Sequence, residues 1–462
     1  MNSAKLIKGH RRNFWLLNIG QMAERLAFAS VLIQLPIYIS QKDDPQSLGW
    51  EQTTKGFIFF CWALAQNLTP LFAGALSDKI GVRLMLTLAS GFAAISYFML
   101  GLSASFPIFL FSAIILGISL GCFKPAISAS IARNIDPEGS RNKWAVTSML
   151  INIAVFAAMP FSLYFKTISY TYVFMASSII MTANFLYFAF FLNPDNSTYQ
   201  PEKLSLREIT ASLRSGGLLS FIIIMSGFTI IYMQFYETLP NFIVDWVSTT
   251  KAASALHLPD FMIKLTNKGS EIAFEWLYNI NTVMIILLVT AVNFIFRGFS
   301  HSTTLSFGTA LVTIGFGAAI LSQSGGMLIT GFIVYTLGEM ICIPVYLDYI
   351  SNKAPGARKG LYMSYLNISW AIGLGFGGLL GGAAYRYFGE KSHLALHYLQ
   401  EHGHSVTKIT SSNAFSQLQS VTGLNPADAS VLLWNNYHPY LAFLPFIIIG
   451  IISSLLLFLR RK

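Results

Sequence analysis

Hydrophobic positions in this chain gather into twelve long runs separated by polar segments. Each run holds about twenty predominantly apolar residues, the length an α-helix needs to cross the hydrocarbon of a bilayer. They fall near residues 13–36, 54–75, 82–103, 106–132, 144–165, 168–192, 216–246, 274–296, 303–322, 326–350, 361–385 and 436–459. The pattern predicts an all-α membrane protein with 12 transmembrane helices. The first run is long and lacks a small-residue cleavage site, so it reads as a retained span.

Six spans precede a short polar segment, Asn193 to Arg214, and six follow it. This predicts two six-helix bundles, residues 1–193 and 215–462, joined by a cytoplasmic linker over 194–214. A 6 + 6 layout is that of transporters whose halves rock about a midplane site. Two other connections are long. Ser248 to Gly269 is expected to carry an amphipathic helix around Phe261–Leu265, and Phe388 to Tyr437 holds His393, His397, His402 and His404. His393 and His397 stand at i, i+4 and share a helical face, but a zinc site wants a third rigid ligand. The segment therefore reads as a solvated histidine-rich loop. Gly373, Gly375 and Gly378 fit G-x-G-x-x-G, yet they lie inside an apolar run and not between a strand and a helix. Gly373, Gly377 and Gly381 recur every four residues, a smooth stripe that lets a neighbouring helix approach closely.

Composition and charge sharpen the picture. The chain is 54% hydrophobic and 11% charged over 462 residues, far from the roughly 25% charged of a soluble domain. With both termini inside, the inner segments carry 19 of the 30 Lys and Arg, the outer segments 9, and the spans hold Arg25 and Lys124. The excess predicts cytoplasmic termini. The net charge of +10 is then explained by anionic lipid head groups, with no nucleic acid as partner. Cys61, Cys122 and Cys342 all fall in apolar runs, where a thiol behaves as a small hydrophobe; no disulfide framework or metal site follows.

Three segments stand out. Gly74-Ala-Leu-Ser-Asp78-Lys-Ile-Gly81-Val-Arg83, between the second and third spans, resembles the G-x-x-x-D-x-x-G-x-R signature of the major facilitator superfamily. Asp78 can cap a helix or pair with a basic residue, and the glycines allow a tight turn, which suits gating and stability. Gln21-Met-Ala-Glu24-Arg25-Leu-Ala-Phe28 and Gly121-Cys-Phe-Lys124-Pro125-Ala-Ile-Ser128 resemble the first-helix E-x-x-E-R-F and fourth-helix F-K-P-N-x-S stretches of the proton-coupled oligopeptide transporters. Ile151-Asn152, Asn281, and Leu337-Gly338-Glu339 with Pro344 and Lys353-Ala354-Pro355 extend that resemblance over both halves. The chain departs at Gln21, which cannot titrate, at Phe28-Ala29-Ser30 in place of paired tyrosines, and at Ala126 and Ala154.

Intramembrane charges are costly and usually face a partner or a water-filled path. Glu24 and Arg25 are adjacent, so they point about 100° apart on a helix, and each is expected to find a partner elsewhere. If the halves face each other across a cavity, Arg25 and Lys124 form a positive pole and Glu339 a negative one. The resemblance implies a di- or tripeptide whose carboxylate meets Arg25 and Lys124, whose amine meets Glu339, and whose amides meet Asn152 and Asn281. Tyr232, Phe235, Tyr236 and Trp276 would line side-chain pockets. Glu24, Glu339 and Glu237 are the candidates for proton coupling, since burial raises a carboxyl pKa and a nearby cation lowers it. The expectation is a proton-coupled symporter of small zwitterionic or amide-containing solutes working by alternating access. It would be a monomer in a bacterial inner membrane, with no cofactor beyond the proton gradient. A proton-driven exporter of drugs or a siderophore is the second reading, and a non-transporting sensor or scaffold the third. No nucleophile–base pair or metal triad suggests an enzyme.

Overall fold

The computed structural model describes residues 3–134, 140–192, 213, 217–266, 269–353, 359–404, 410 and 412–460. Among these, twelve helices are long and apolar enough to cross a membrane, from Arg12–Ser40 to Pro439–Leu459. Their outer faces are those of an integral membrane protein. Phe111, Ile179, Phe190, Leu287, Phe294 and Ile314 are all more than half exposed. In water each would cost roughly 1.5–3 kcal/mol relative to burial; in hydrocarbon the cost disappears.

The first seven helices are α1 (Ser3–Ser40), α2 (Gln52–Leu68), α3 (Pro70–Ile80), α4 (Val82–Leu102), α5 (Phe106–Arg133), α6 (Ser140–Ile168) and α7 (Tyr170–Phe191). The next are α8 (Leu218–Glu237), α9 (Leu239–Trp246) and α10 (Thr250–Leu256). The run expected as one span over 216–246 is thus two helices. Pro240 lies in the first turn of α9, where a missing N–H is tolerated, but it cannot continue α8.

After α10 the chain forms an antiparallel hairpin, β1 (Ile263–Thr266) and β2 (Gly269–Ile272), with Ile263 opposite Ile272. The amphipathic helix expected around Phe261–Leu265 is therefore replaced by a strand. Ile-Lys-Leu-Thr alternates apolar and polar residues, which suits a period of two, and Gly269 turns with φ +111°. Then follow α11 (Phe274–Ile295), α12 (His301–Ile320), α13 (Gly325–Lys353), α14 (Lys359–Ala371) and α15 (Gly377–Ala384), with π-helical turns at Ile372–Phe376 and Tyr385–Gly389. The histidine-rich segment is not a loop. It folds into α16 (Lys391–Glu401), α17 (Ala414–Thr422) and α18 (Pro426–Tyr437), which bury Leu394, Leu399, Leu418 and Leu433. The last helix is α19 (Leu444–Leu459).

By contacts the chain divides into two compact units. The first comprises Met1–Leu32, Cys61–Ile222 and Pro355–Ala371; the second comprises Ile33–Phe60, Ile223–Ala354 and Ile372–Lys462. In the first, Phe14, Leu17, Met85, Leu86, Phe123, Ile127 and Phe188 form a continuous apolar cluster. Ser178 Oγ reaches across from α7 to the carbonyl of Ala94 on α4 at 2.7 Å, a polar tie that matters where lipid tails supply no hydrophobic drive.

In the second unit α12 and α13 meet backbone to backbone. A Cβ on Gly315 would lie 2.2 Å from the Tyr335 nitrogen, and one on Gly331 would lie 2.6 Å from the Gly315 oxygen. The stripe Gly373, Gly377, Gly381 packs against α8 and the residue that follows it, where its added carbons would meet Thr229 and Gln234 on the helix and Thr238 just beyond.

Candidate functional site

Within the first unit, α1 carries Glu24 and Arg25, and α5 carries Lys124. Glu24 is 2% exposed and Arg25 23%. Contrary to the expectation that each seeks a distant partner, Arg25 closes on Glu24 itself. Arg25 Nε donates to Glu24 Oε2, and Arg25 Nη2 donates to Glu24 Oε1. The 100° offset separates the Cβ directions, but both side chains are long enough to curl together, and the guanidinium fork matches a carboxylate in bidentate fashion. The Arg25 guanidinium also lies 4.7 Å from the Phe28 ring centroid, a cation–π contact.

Lys124 is exposed and feels the charges of both Arg25 and Glu24. With Glu24 and Arg25 cancelling, this cluster carries one uncompensated positive charge. Tyr97, 1% exposed, faces the same pair, and its hydroxyl has no partner among the described residues. Asn152 on α6 donates from Nδ2 to the Ser148 carbonyl at 2.9 Å, so one of its donors is spent within its own helix.

Within the second unit, Glu339 on α13 is 7% exposed. Its Oε1 accepts from the Tyr232 hydroxyl at 2.8 Å, and its Oε2 accepts from Asn281 Nδ2 at 2.6 Å. Asn281 also donates to Thr336 Oγ1 at 3.1 Å. Aromatic rings hold this arrangement in place. Tyr335 stacks on Phe235 at 4.4 Å and donates to the Tyr232 carbonyl at 2.9 Å, while Tyr236 packs 5.9 Å from Tyr232. Trp276 lies edge-on to Phe261 at 5.5 Å, at the start of α11.

The tight turn between α3 and α4 is made at Gly81, with φ +88° and its N–H donating to the Ser77 carbonyl at 2.9 Å. Arg83 in the first turn of α4 donates to the Ala189 carbonyl on α7. The side chain of Asp78 and the surroundings of Gly74 lie outside what is described. The profile of the Major Facilitator Superfamily matches residues 17–250, which include this turn.

The chain belongs to the Major Facilitator Superfamily.

Relatives and solved structures agree with that membership of the superfamily. The multidrug resistance protein MdtH of Aeromonas hydrophila is 22% identical over 391 residues, covering 82% of this chain and 88% of the relative. A mutant form of the nucleoside transporter NupG, solved by crystallography, superposes with a TM-score of 0.70 at 13% identity, covering 97% of this chain and all of that one. A POT family transporter in complex with 5-aminolevulinic acid gives 0.65 at 16% identity, covering 93% and 96%. At these identities the structures speak for the fold alone.

The superfamily fold also holds a buried polar network in the second unit that sequence reading missed. Lys55, counted there with the outer segments, is 1% exposed in the first turn of α2. It donates to Asn241 Oδ1 at 2.8 Å and to the Glu237 carbonyl at 3.0 Å. Asp245 accepts from Gln41 at 2.9 Å and from the Tyr385 hydroxyl at 2.6 Å, and Gln34 donates to Glu275 at 2.6 Å. Lys42 and Arg386 pair with both Glu51 and Glu390. A lysine at the edge of an apolar run was the visible signal for this network. Its partners lie 182 and 186 residues away, beyond the reach of pattern.

Proposed function

We propose that this superfamily transporter is a proton-coupled symporter of small zwitterionic or amide-containing solutes, with di- and tripeptides as the leading class. The reading rests on one observation: the Glu24–Arg25 pair neutralises itself and leaves the positive charge of Lys124 beside it uncompensated among the described residues. An uncompensated cation next to a neutral pair suits the carboxylate of a solute. Glu339, with a donor on each oxygen, is the proposed group for the solute's amine, with Asn152 and Asn281 for its amides and Tyr236 and Trp276 beside its side chains. Gln21 cannot carry a proton, so Glu24, Glu339 and Glu237 are the proposed proton carriers. The protein would work by alternating access as a monomer in a bacterial inner membrane, with both termini cytoplasmic.

The test is accumulation of labelled dialanine in proteoliposomes under an inward proton gradient. Uptake above that of empty liposomes, abolished when the gradient is collapsed, is the expected result. A second reading, proton-driven export of drugs, is favoured by the name of the Aeromonas relative. Efflux of dyes together with no dialanine uptake would replace the first reading by the second.

A further inference from the structure

The buried ammonium of Lys55 sits near a carboxylate that it does not touch. Both of its hydrogen bonds go to neutral acceptors, Asn241 Oδ1 and the backbone carbonyl of Glu237. The Glu237 side chain, 1% exposed, accepts from Gln234 Nε2 at 3.3 Å through Oε2, while its Oε1 meets no donor among the described residues. An ionised oxygen buried without a donor is costly.

The other charged groups that Lys55 feels are Asp245 on α9 and Glu390 before α16. Neither is available to it. Asp245 has Gln41 on one oxygen and Tyr385 on the other, and Glu390 has Lys42 and Arg386. Glu237 is the carboxyl of this set with a spare oxygen. Beside it α2 and α15 approach closely at glycines: a Cβ on Gly56 would lie 2.4 Å from the Gly378 oxygen, and one on Gly382 would lie 2.4 Å from the Gln52 oxygen.

We infer that Lys55 is a movable counter-ion for Glu237. With Glu237 carrying a proton, Lys55 stays on Asn241 and ties α2 to α9. When the Glu237 O–H bond breaks and its proton passes to water, the carboxylate draws the ammonium off Asn241 and the tie between the helices is released. Lys55 is thereby a positioning residue that converts a proton on Glu237 into a contact between α2 and α9. Only the transport arm of the test rests on the symport reading above.

The first arm needs no substrate. The infrared band of a protonated carboxyl, assigned by its loss in Glu237→Gln, is titrated with pH in the purified protein. In Lys55→Gln its midpoint should move by on the order of tenfold in proton activity or more, as removal of a neighbouring charge does, and Lys55→Arg should restore it. An unmoved midpoint in Lys55→Gln overturns the inference. Should Lys55→Gln fail to fold, the double variant Lys55→Met with Glu237→Gln removes both charges. It should fold where Lys55→Gln does not, the sign of coupled sites, and a double variant that also fails to fold overturns the inference. In the transport arm, the ratio of dialanine uptake with and without a proton gradient should fall toward one in Lys55→Gln and recover in Lys55→Arg. A wild-type protein that takes up no dialanine sinks the symport reading and leaves the infrared result standing.

Discussion

The seam between α12 and α13 gives a prediction that follows from distances alone. In Gly315→Ala the new methyl would sit 2.2 Å from the Tyr335 nitrogen, 2.7 Å from its Cα and 2.8 Å from the Gly331 oxygen. All three are backbone atoms that cannot rotate away. Restoring van der Waals contact requires the two helices to part by roughly 1 Å, which forfeits much of the dispersion energy along the seam. Overpacking of this kind costs typically about 1–3 kcal/mol, and little hydrophobic force stands behind helix association in a membrane. The consequence reaches the site. Tyr335 leads into Glu339 one turn later on α13, and its ring and hydroxyl bind Phe235 and Tyr232. Gly315→Ala should therefore lower the apparent melting temperature in detergent by several degrees and weaken any stabilisation by dialanine. Gly326→Ala, on the same helix pair, is the control, because its added carbon would find only Ser324 Oγ at 3.7 Å. Melting is compared at one scan rate, since such proteins unfold irreversibly. If Gly315→Ala melts with Gly326→Ala and the wild type, the backbone contact is not as tight as described and the reasoning fails.

Three further outcomes are expected. Tyr232→Phe and Asn281→Leu each leave one oxygen of Glu339 without its donor, which costs roughly 1–3 kcal/mol; the penalty should vanish in a Glu339→Met background, and persistence there in thermal melts would refute it. Lys124→Ala should abolish gradient-driven uptake of labelled dialanine in proteoliposomes while the melting temperature stays near that of the wild type, because Glu24 and Arg25 satisfy each other without it. Uptake at the wild-type rate would remove Lys124 from the site. Arg25→Lys keeps the charge but loses the fork that grips both oxygens of Glu24, so the protein should melt lower despite the conservative change; equal melting temperatures would show that the pairing is not bidentate in solution.

The twelve spans were legible because hydrocarbon imposes a length and a composition that ordinary helices do not share. What escaped is local chemistry within and between them. Pro240 was absorbed into one apolar run, although a proline in the first turn of a new helix marks a break as well as an irregularity. Ile263-Lys-Leu-Thr carried a strand period across only four residues, too short to outweigh the expectation of a helix. The helices after Lys391 lay among histidines, and their buried leucines at 394, 399, 418 and 433 were the better signal. Ile33–Phe60 groups by contact with residues two hundred positions further along, an association that no local pattern announces.

For the site, sequence placed the charges but not their pairings, and in a membrane the pairing decides the role. Glu24, Arg25 and Lys124 announce themselves in the same way, as ions in apolar runs, whereas Lys55 stands at the edge of a run and reads as an outer residue. Glu24 and Arg25 satisfy one another within one turn of α1, which makes them a neutral fixture. Lys55 is satisfied by a carbonyl and an amide that carry no charge, which leaves its own charge answerable only by a nearby carboxylate. Lys124 is exposed and meets a pair already closed, so its counter-charge has to come from outside that pair. Ions thus differ by partner: Glu24 and Arg25 close on each other, Lys55 rests on neutral acceptors, Lys124 is left for an outside counter-charge, and the difference lies in which acceptor each charge has already found.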